Sequence, residues 1–167
     1  MLNIINQLKP FFEDNYKRIH VREYAKLIEV APPTSSKYLE SLKENNLLKK
    51  ETDKQYHYYF ANKNSKTFID LQRIYYRIKL SKLIDYIKYE TINPIIILFG
   101  SLAKAEVSKK SDIDLAVFTV SKKEMDFDNF ESELNRDIQV FAFKSINEVN
   151  SDLKNSILNG YKLEGNW

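Results

Sequence analysis

The 167-residue chain contains no cysteine, three glycines, four prolines and two histidines. Without cysteine it forms no disulfide and no thiolate metal site, and His20 and His57 are too few for a zinc centre. Any metal is therefore expected to be hard and bound through oxygen. No run of eighteen apolar residues occurs, and Met1-Leu2-Asn3-Ile4-Ile5-Asn6 lacks a basic stretch followed by a small-residue cleavage site. Neither a membrane span nor a signal peptide is expected, and the expected location is the cytoplasm, with no membrane partner. Apolar residues make up 43% of the chain, enough for a core in one medium domain or two small ones.

The scarcity of glycine makes Gly100 conspicuous, because no other glycine occurs in the first 159 residues. It follows the apolar run Ile95-Ile96-Ile97-Leu98-Phe99 and is followed by Ser101. A missing side chain at the end of a buried strand suits a sharp turn and lets a phosphate approach the backbone.

Charge is unevenly distributed. Residues 1–62 carry a net +2, residues 63–93 a net +4 and residues 94–167 a net −3, although the whole chain is only +3. A basic front and an acidic back suggest modules with different partners. The expected division is 1–62, a connecting helix over 63–93, and 94–167.

In the front module, Ile4, Ile5, Leu8, Phe11 and Phe12 recur at helical spacing over residues 2–16, as do Val21, Tyr24, Ala25, Leu27 and Ile28 over 21–30. Ala31-Pro32-Pro33 breaks the pattern, and Thr34 or Ser35 is placed to cap a third helix from Ser35 to Asn45. Leu47 to Glu51, a polar turn at Thr52-Asp53-Lys54, and the alternation from Gln55 to Phe60 predict a hairpin. On Val21 to Leu27, Thr34 to Leu39 and Leu47 to Lys50, residues 11–62 resemble a winged helix-turn-helix domain. That resemblance implies a recognition helix whose Thr34, Ser35, Ser36 and Lys37, with Ser41, face a DNA major groove, while Lys49, Lys50 and Lys54 meet phosphates. A protein-interaction or dimerisation module has the same outline. His57, between tyrosines on a strand, reads as a structural or surface residue.

Residues 65–89 predict one long helix with Phe68, Leu71, Ile74, Tyr75, Ile78, Leu83, Ile84 and Ile87 at helical spacing. It reads as a connector or as a dimerisation helix of a homodimer. Asn93-Pro94 marks the boundary into the back module.

There, Ile95 to Phe99 predicts a central strand buried on both faces. Gly100-Ser101 turns it into a short helix, Leu102 to Glu106. Ser111-Asp112-Ile113-Asp114-Leu115-Ala116-Val117 predicts a second strand that puts Asp112 and Asp114 on one face. Two like charges side by side are unfavourable without a cation, which points to Mg2+ or Mn2+. Helices over 127–135 and 149–159 and a strand over 138–143 complete an α+β module.

A Gly-Ser turn followed ten residues later by Asp-x-Asp closely resembles the minimal nucleotidyltransferase domain of the DNA polymerase beta superfamily, over about residues 90–165. The resemblance implies that Gly100 and Ser101, with Lys104 and Ser111, hold the triphosphate of an NTP, expected to be ATP. It implies that Asp112 and Asp114 bind divalent cations and that a nucleoside monophosphate is transferred with release of pyrophosphate. Ala105 stands where members of that family often carry glycine. Members also supply a third carboxylate from a later strand; Gln139 falls at the matching place in Ile138-Gln139-Val140, and Asp137 is the nearest candidate substitute.

Two function classes follow. One is a nucleotidyltransferase acting on a protein or RNA, resembling antitoxins that transfer AMP to a HEPN-class toxin partner, with the winged helix recognising DNA or that partner. The other is a DNA-binding transcriptional regulator whose transferase-like module only binds nucleotide or mediates assembly.

Overall fold

The computed structural model describes residues 2–121 and 123–166. The chain forms two compact units. One takes in the residues up to Tyr75 together with Ala105–Lys109, and the other takes in Tyr76–Lys104 and the residues from Lys110 onward. Both mix helices with a sheet, giving an α+β fold. Among the described residues no helix is long and apolar enough to cross a membrane.

The first unit begins with helix α1 (Leu2–Glu13), strand β1 (Ile19–His20), helix α2 (Val21–Leu27) and helix α3 (Pro32–Glu44), followed by hairpin β2 (Leu48–Asp53) and β3 (Tyr56–Ala61). The apolar stripe of α1 buries Leu8, Phe11 and Phe12. Phe11 packs on Tyr24 of α2 at 5.8 Å between ring centroids, and Phe12 on Phe68 at 5.1 Å. Burying each such ring stabilises the unit by about 2–3 kcal/mol. The sheet is antiparallel in the order β1-β3-β2, with Lys54 in a left-handed conformation at the hairpin tip (φ 55°). Strand β2 extends further than the sequence suggested, because Thr52 pairs with His57 and Asp53 with Tyr56, and β3 starts one residue later than expected, leaving only Lys54 and Gln55 to turn the chain.

Helix α3 starts three residues earlier than expected. Pro32 and Pro33 do not stop it but open it: proline lacks only an N–H that the first turn leaves unpaired, and its fixed φ suits that turn. Ala31 precedes it in an extended conformation with no side-chain cap. The shift has a consequence for Ser35, which becomes part of the helix body with its side chain turned inward. The two-residue strand β1 has no sequence signal; His20 there caps α2 through Nδ1, which accepts from the Glu23 N–H at 3.4 Å.

The stretch expected as one connecting helix is two, α4 (Lys66–Lys79) and α5 (Ser81–Glu90), broken at Leu80 (φ −91°, ψ 6°). No proline or glycine marks the break. Leu80 is buried, and its N–H and carbonyl remain bonded to Tyr76 and Ile84, so the apolar period runs on through the bend.

The second unit is built on strand β4 (Ile95–Phe99), helix α6 (Gly100–Lys104), strand β5 (Ile113–Phe118), helix α7 (Asp128–Leu134), strand β6 (Ile138–Phe143), a 3-10 turn (Ile146–Glu148), helix α8 (Ser151–Leu158) and strand β7 (Tyr161–Glu164). The sheet order is β6-β5-β4-β7, with β5 and β6 parallel and the other pairs antiparallel. The two innermost strands are β5 and β4, of which β4 is the strand expected to be apolar on both faces. One face of the sheet, carrying Ile97, Phe99, Ala116 and Phe118, packs on Val149 and Ile157, with Phe141 and Phe143 alongside. Because side chains alternate along a strand, the same face continues into Asp114 on β5 and Gln139 on β6.

Candidate functional site

The candidate site lies where β4 ends. Phe99 is paired with Asp114, and Asp114 with Gln139 on the opposite side. The chain leaves β4 through Gly100, whose φ of +68° is unfavourable for any residue with a side chain. Space forbids a side chain as well: a Cβ at Gly100 would collide with Oδ2 of Asp114. Gly100 thus lets the turn close directly over a carboxylate.

Asp112 immediately precedes β5 and Asp114 lies within it; both are half-buried. Burial, and then the negative charge of Asp112, push the Asp114 carboxyl above its ordinary range. No hydrogen-bond or ion-pair partner for Asp114 is found among the described residues. Asp112 does have one, because the Gln139 side-chain amide donates to its Oδ2 at 2.7 Å. Gln139 is therefore part of the cluster, in register with Asp114 and bonded to Asp112.

Asp137 is not part of it. It lies outside β6, and its carbonyl accepts the Ile113 N–H at 2.8 Å, starting the β5–β6 ladder. No group of three or more carboxylates, histidines or cysteines with metal-binding geometry occurs among the described residues. Asp137 does not complete a three-carboxylate set here because its exposed side chain belongs to the loop before the strand.

Lys104 sits in the last turn of α6, exposed, with Nζ donating to Ser156 Oγ at 3.3 Å. Ser101 is the second residue of α6 and is half-buried. The Ser111 carbonyl accepts from the Arg136 guanidinium at 2.6 Å. Arg136 is a buried residue that sequence reasoning missed; it ties the approach to β5 to the approach to β6. Glu131 accepts from the first N–H of β6, at Ile138 (2.8 Å).

Two hard oxygen donors, one of them unpaired and disfavoured as an anion, suit a magnesium-type cation, which is commonly held by one or two carboxylates plus substrate phosphates. The residues present fit such an ion through Asp112 and Asp114.

In the first unit, the expected polar row on α3 is only partly available. Lys37 is exposed, and Thr34 and Ser36 are half-exposed. Ser35 is fully buried and donates to the Val21 carbonyl at 2.8 Å, so it braces α2 against α3 and does not face outward. Lys49 and Lys54 are exposed, whereas Lys50 is bound to Glu40 at 2.6 Å and lies 5.5 Å from the Tyr59 ring centroid. Glu40 also accepts from the Tyr59 hydroxyl at 2.5 Å. The Lys50 hydrogen bond, followed by that of Tyr59, holds the Glu40 carboxyl below its usual range.

A four-stranded mixed sheet here ends in a Gly-Ser turn set against Asp114, with Asp112 two residues before it. Residues 81–163, just under half of the chain, match the family model described as Polymerase beta, Nucleotidyltransferase, and this region is similar to that nucleotidyltransferase domain. No curated protein and no solved structure matches the chain.

Proposed function

We propose that the second unit binds an NTP, with ATP the expected nucleotide, together with Mg2+ or Mn2+, and transfers a nucleoside monophosphate to a protein or RNA acceptor. The observation that carries this reading is the approach of the bare Gly100 backbone to the unpaired Asp114 carboxylate, next to Asp112. Asp112 and Asp114 would hold the cation. The cation would supply charge neutralisation of the triphosphate and of the departing pyrophosphate. The chain's own contribution is to position the nucleotide: Gly100 leaves room for a phosphate at the turn, Ser101 offers a hydroxyl, and Lys104 offers a positive charge. In the transfer, the acceptor hydroxyl gives up its proton to water, its oxygen bonds to the α-phosphorus, the bond to the oxygen bridging to the β-phosphate breaks, and pyrophosphate leaves.

The first unit is proposed to be a winged helix-turn-helix domain that recognises DNA or a protein partner. Lys37, Lys49 and Lys54 are its exposed cations and Thr34 and Ser36 its adjacent polar groups. A HEPN-class toxin partner, with this chain as the antitoxin, is the protein-directed version of the reading.

One observation favours a second reading. Gln139 stands where the superfamily resemblance calls for a third carboxylate, and its amide occupies Asp112. An amide is no general base and a weak ligand for a hard cation, so the unit would bind nucleotide and turn it over slowly or not at all. The chain would then be a DNA-binding regulator with a nucleotide-sensing module. Incubation with α-labelled ATP, magnesium and candidate acceptors separates the two. Label transfer that disappears in both Asp112→Ala and Asp114→Ala supports the transferase; nucleotide binding without transfer to any acceptor, including the chain itself, supports the regulator.

A further inference from the structure

The antiparallel sheet of the first unit has two faces of different character. On one, Ile19, Leu48, Tyr59 and Ala61 are buried, and Lys50 and Tyr59 both reach Glu40 of α3. Because side chains alternate along a strand, Tyr56, Tyr58 and Phe60 of β3 stand on the face turned away from α3, about 6–7 Å apart. There His20 and Glu51 pair with Tyr58, and Lys49 pairs with Phe60. Tyr56 is 63% exposed, and Tyr58 and Phe60 are half-buried.

Cations accompany the rings. The Arg18 guanidinium lies over the Tyr58 ring, 5.1 Å from its centroid, and is held by an ion pair with Glu51. Lys63 Nζ lies 4.0 Å from the centroid of the Tyr16 ring, and Tyr16 is largely exposed. A hollow of about 250 Å³ is lined by Tyr16, Arg18, Lys49, Glu51, Phe60 and Lys63 among others, three cations against one carboxylate. A second hollow, of about 520 Å³, takes in His20, Arg22, Tyr56 and Tyr58.

A ring and a cation stabilise one another without a ligand. Here they also border open space in net positive charge, which suits a ligand with flat apolar faces spaced along an anionic backbone. A single nucleic-acid strand has both: its bases stack on aromatic rings and guanidinium planes, and its phosphates meet lysines. A duplex keeps its base faces stacked inside and offers this surface only phosphates.

We propose that the outer face of this sheet binds single-stranded nucleic acid, with bases on Tyr16, Tyr58 and Phe60 and phosphates on Arg18, Lys49 and Lys63. The proposal stands whether or not α3 meets a duplex, because the track lies on the opposite side of the sheet from that helix. Base faces and phosphates are common to DNA and RNA, so the track takes either sugar.

The test uses the full chain with labelled oligo-dT, oligo-U and an oligo-dT·oligo-dA duplex, and reads anisotropy at several salt concentrations. Tyr58→Leu and Phe60→Leu remove a ring and keep an apolar side chain, Tyr16→Ala removes a largely exposed ring, and Lys49→Ala removes a cation. Lys26→Ala removes an exposed cation that borders neither hollow. Each ring variant is expected to weaken binding of both single strands about fivefold or more. Lys49→Ala should lower the slope of log affinity against log salt by about 0.7, and Lys26→Ala should bind like the wild type. Amide resonances of Arg18, Lys49, Tyr58 and Phe60 should shift on adding oligo-dT. Melting curves accompany each variant, and where a leucine variant does not fold, Tyr16→Ala carries the stacking test. The proposal is overturned by absence of single-strand binding at low salt, by tighter binding of the duplex than of either strand, or by binding of only one sugar. Ring variants that bind like the wild type, or equal weakening by Lys26→Ala and Lys49→Ala, overturn it as well.

Discussion

The Asp114 carboxylate fills the space that a side chain at Gly100 would need: a Cβ there would collide with its Oδ2. Gly100→Ala therefore carries two penalties, about 1–2 kcal/mol for a left-handed alanine and a further cost for displacing the carboxylate. The second cost is shared with Asp114 and the first is not. Asp114→Ala removes the colliding atoms, so the double variant is expected to lose less stability than the two single variants together, by about 0.5–3 kcal/mol. Urea denaturation of the four proteins measures this; strict additivity would show that the two groups do not meet.

The Asp114 carboxyl titrates above its ordinary value of 3.8 because burial and Asp112 disfavour the anion. Below that value it is protonated in both folded and unfolded chains and costs nothing. As pH rises through the interval between the unfolded and the folded value, the unfolded chain loses its proton first, so folding stability falls, and above the folded value the loss is complete. Asp114→Asn is expected to be more stable than the wild type at pH 7 and to lose that advantage by about pH 3–4. Magnesium should raise the melting temperature of the wild type at pH 7 and leave that of the variant unchanged. Melting curves across pH, with and without magnesium, check both; an advantage that grows toward acid pH would contradict the sign.

The parts of this architecture visible in the sequence are those written in local pattern. Ile95 to Phe99 declares a central strand because five apolar residues admit no solvent face, and Asp112 and Asp114 declare their shared face through the two-residue period. The α3 start was obscured because Pro-Pro both ends one helix and opens the next, so the same residues support two boundaries. Leu80 hides a helix break because the apolar period passes through it. Strand β7 is four residues long and too short to show alternation. The hydrogen bond from the Val107 N–H to Asn15 Oδ1 joins residues 92 apart, and nothing local to either residue signals it. The inward turn of Ser35 likewise depends on the folded chain, because its partner, the Val21 carbonyl, is fourteen residues away.

Gln139 offers a direct test of what limits the site. Gln139→Asp would place a third carboxylate beside Asp112 and Asp114. Without metal the added charge is unfavourable, so the variant is expected to be less stable than the wild type at pH 7 in chelator. With Mn2+ the order reverses, and cation affinity should rise by about tenfold, equivalent to about 1.4 kcal/mol. Isothermal titration with Mn2+ measures the affinity, and α-labelled ATP measures transfer. A rise in both would identify the missing carboxylate as the limit on turnover. Tighter cation binding with no change in transfer would place the limit in the acceptor, and unchanged affinity would show that Gln139 does not stand at a cation position.

The two hydrophilic faces of α3 make opposite predictions for neighbouring residues. Ser35 is buried and donates to the Val21 carbonyl, so Ser35→Ala is expected to cost about 1 kcal/mol of stability and to leave duplex DNA affinity unchanged. Lys37 is exposed on the opposite side, so Lys37→Ala should leave stability within about 0.5 kcal/mol of wild type. If the helix lies against DNA, the same variant should weaken binding to every duplex and reduce the slope of log affinity against log salt by about 1. Lys50 is already bound to Glu40, so Lys50→Ala should change that slope less than Lys37→Ala does. Fluorescence anisotropy at several salt concentrations, with melting curves on the same proteins, separates bracing from contact. A Ser35→Ala variant that keeps its stability and loses DNA would reverse the assignment of the two faces, and a Lys37→Ala variant with an unaltered salt slope would remove α3 from the DNA interface.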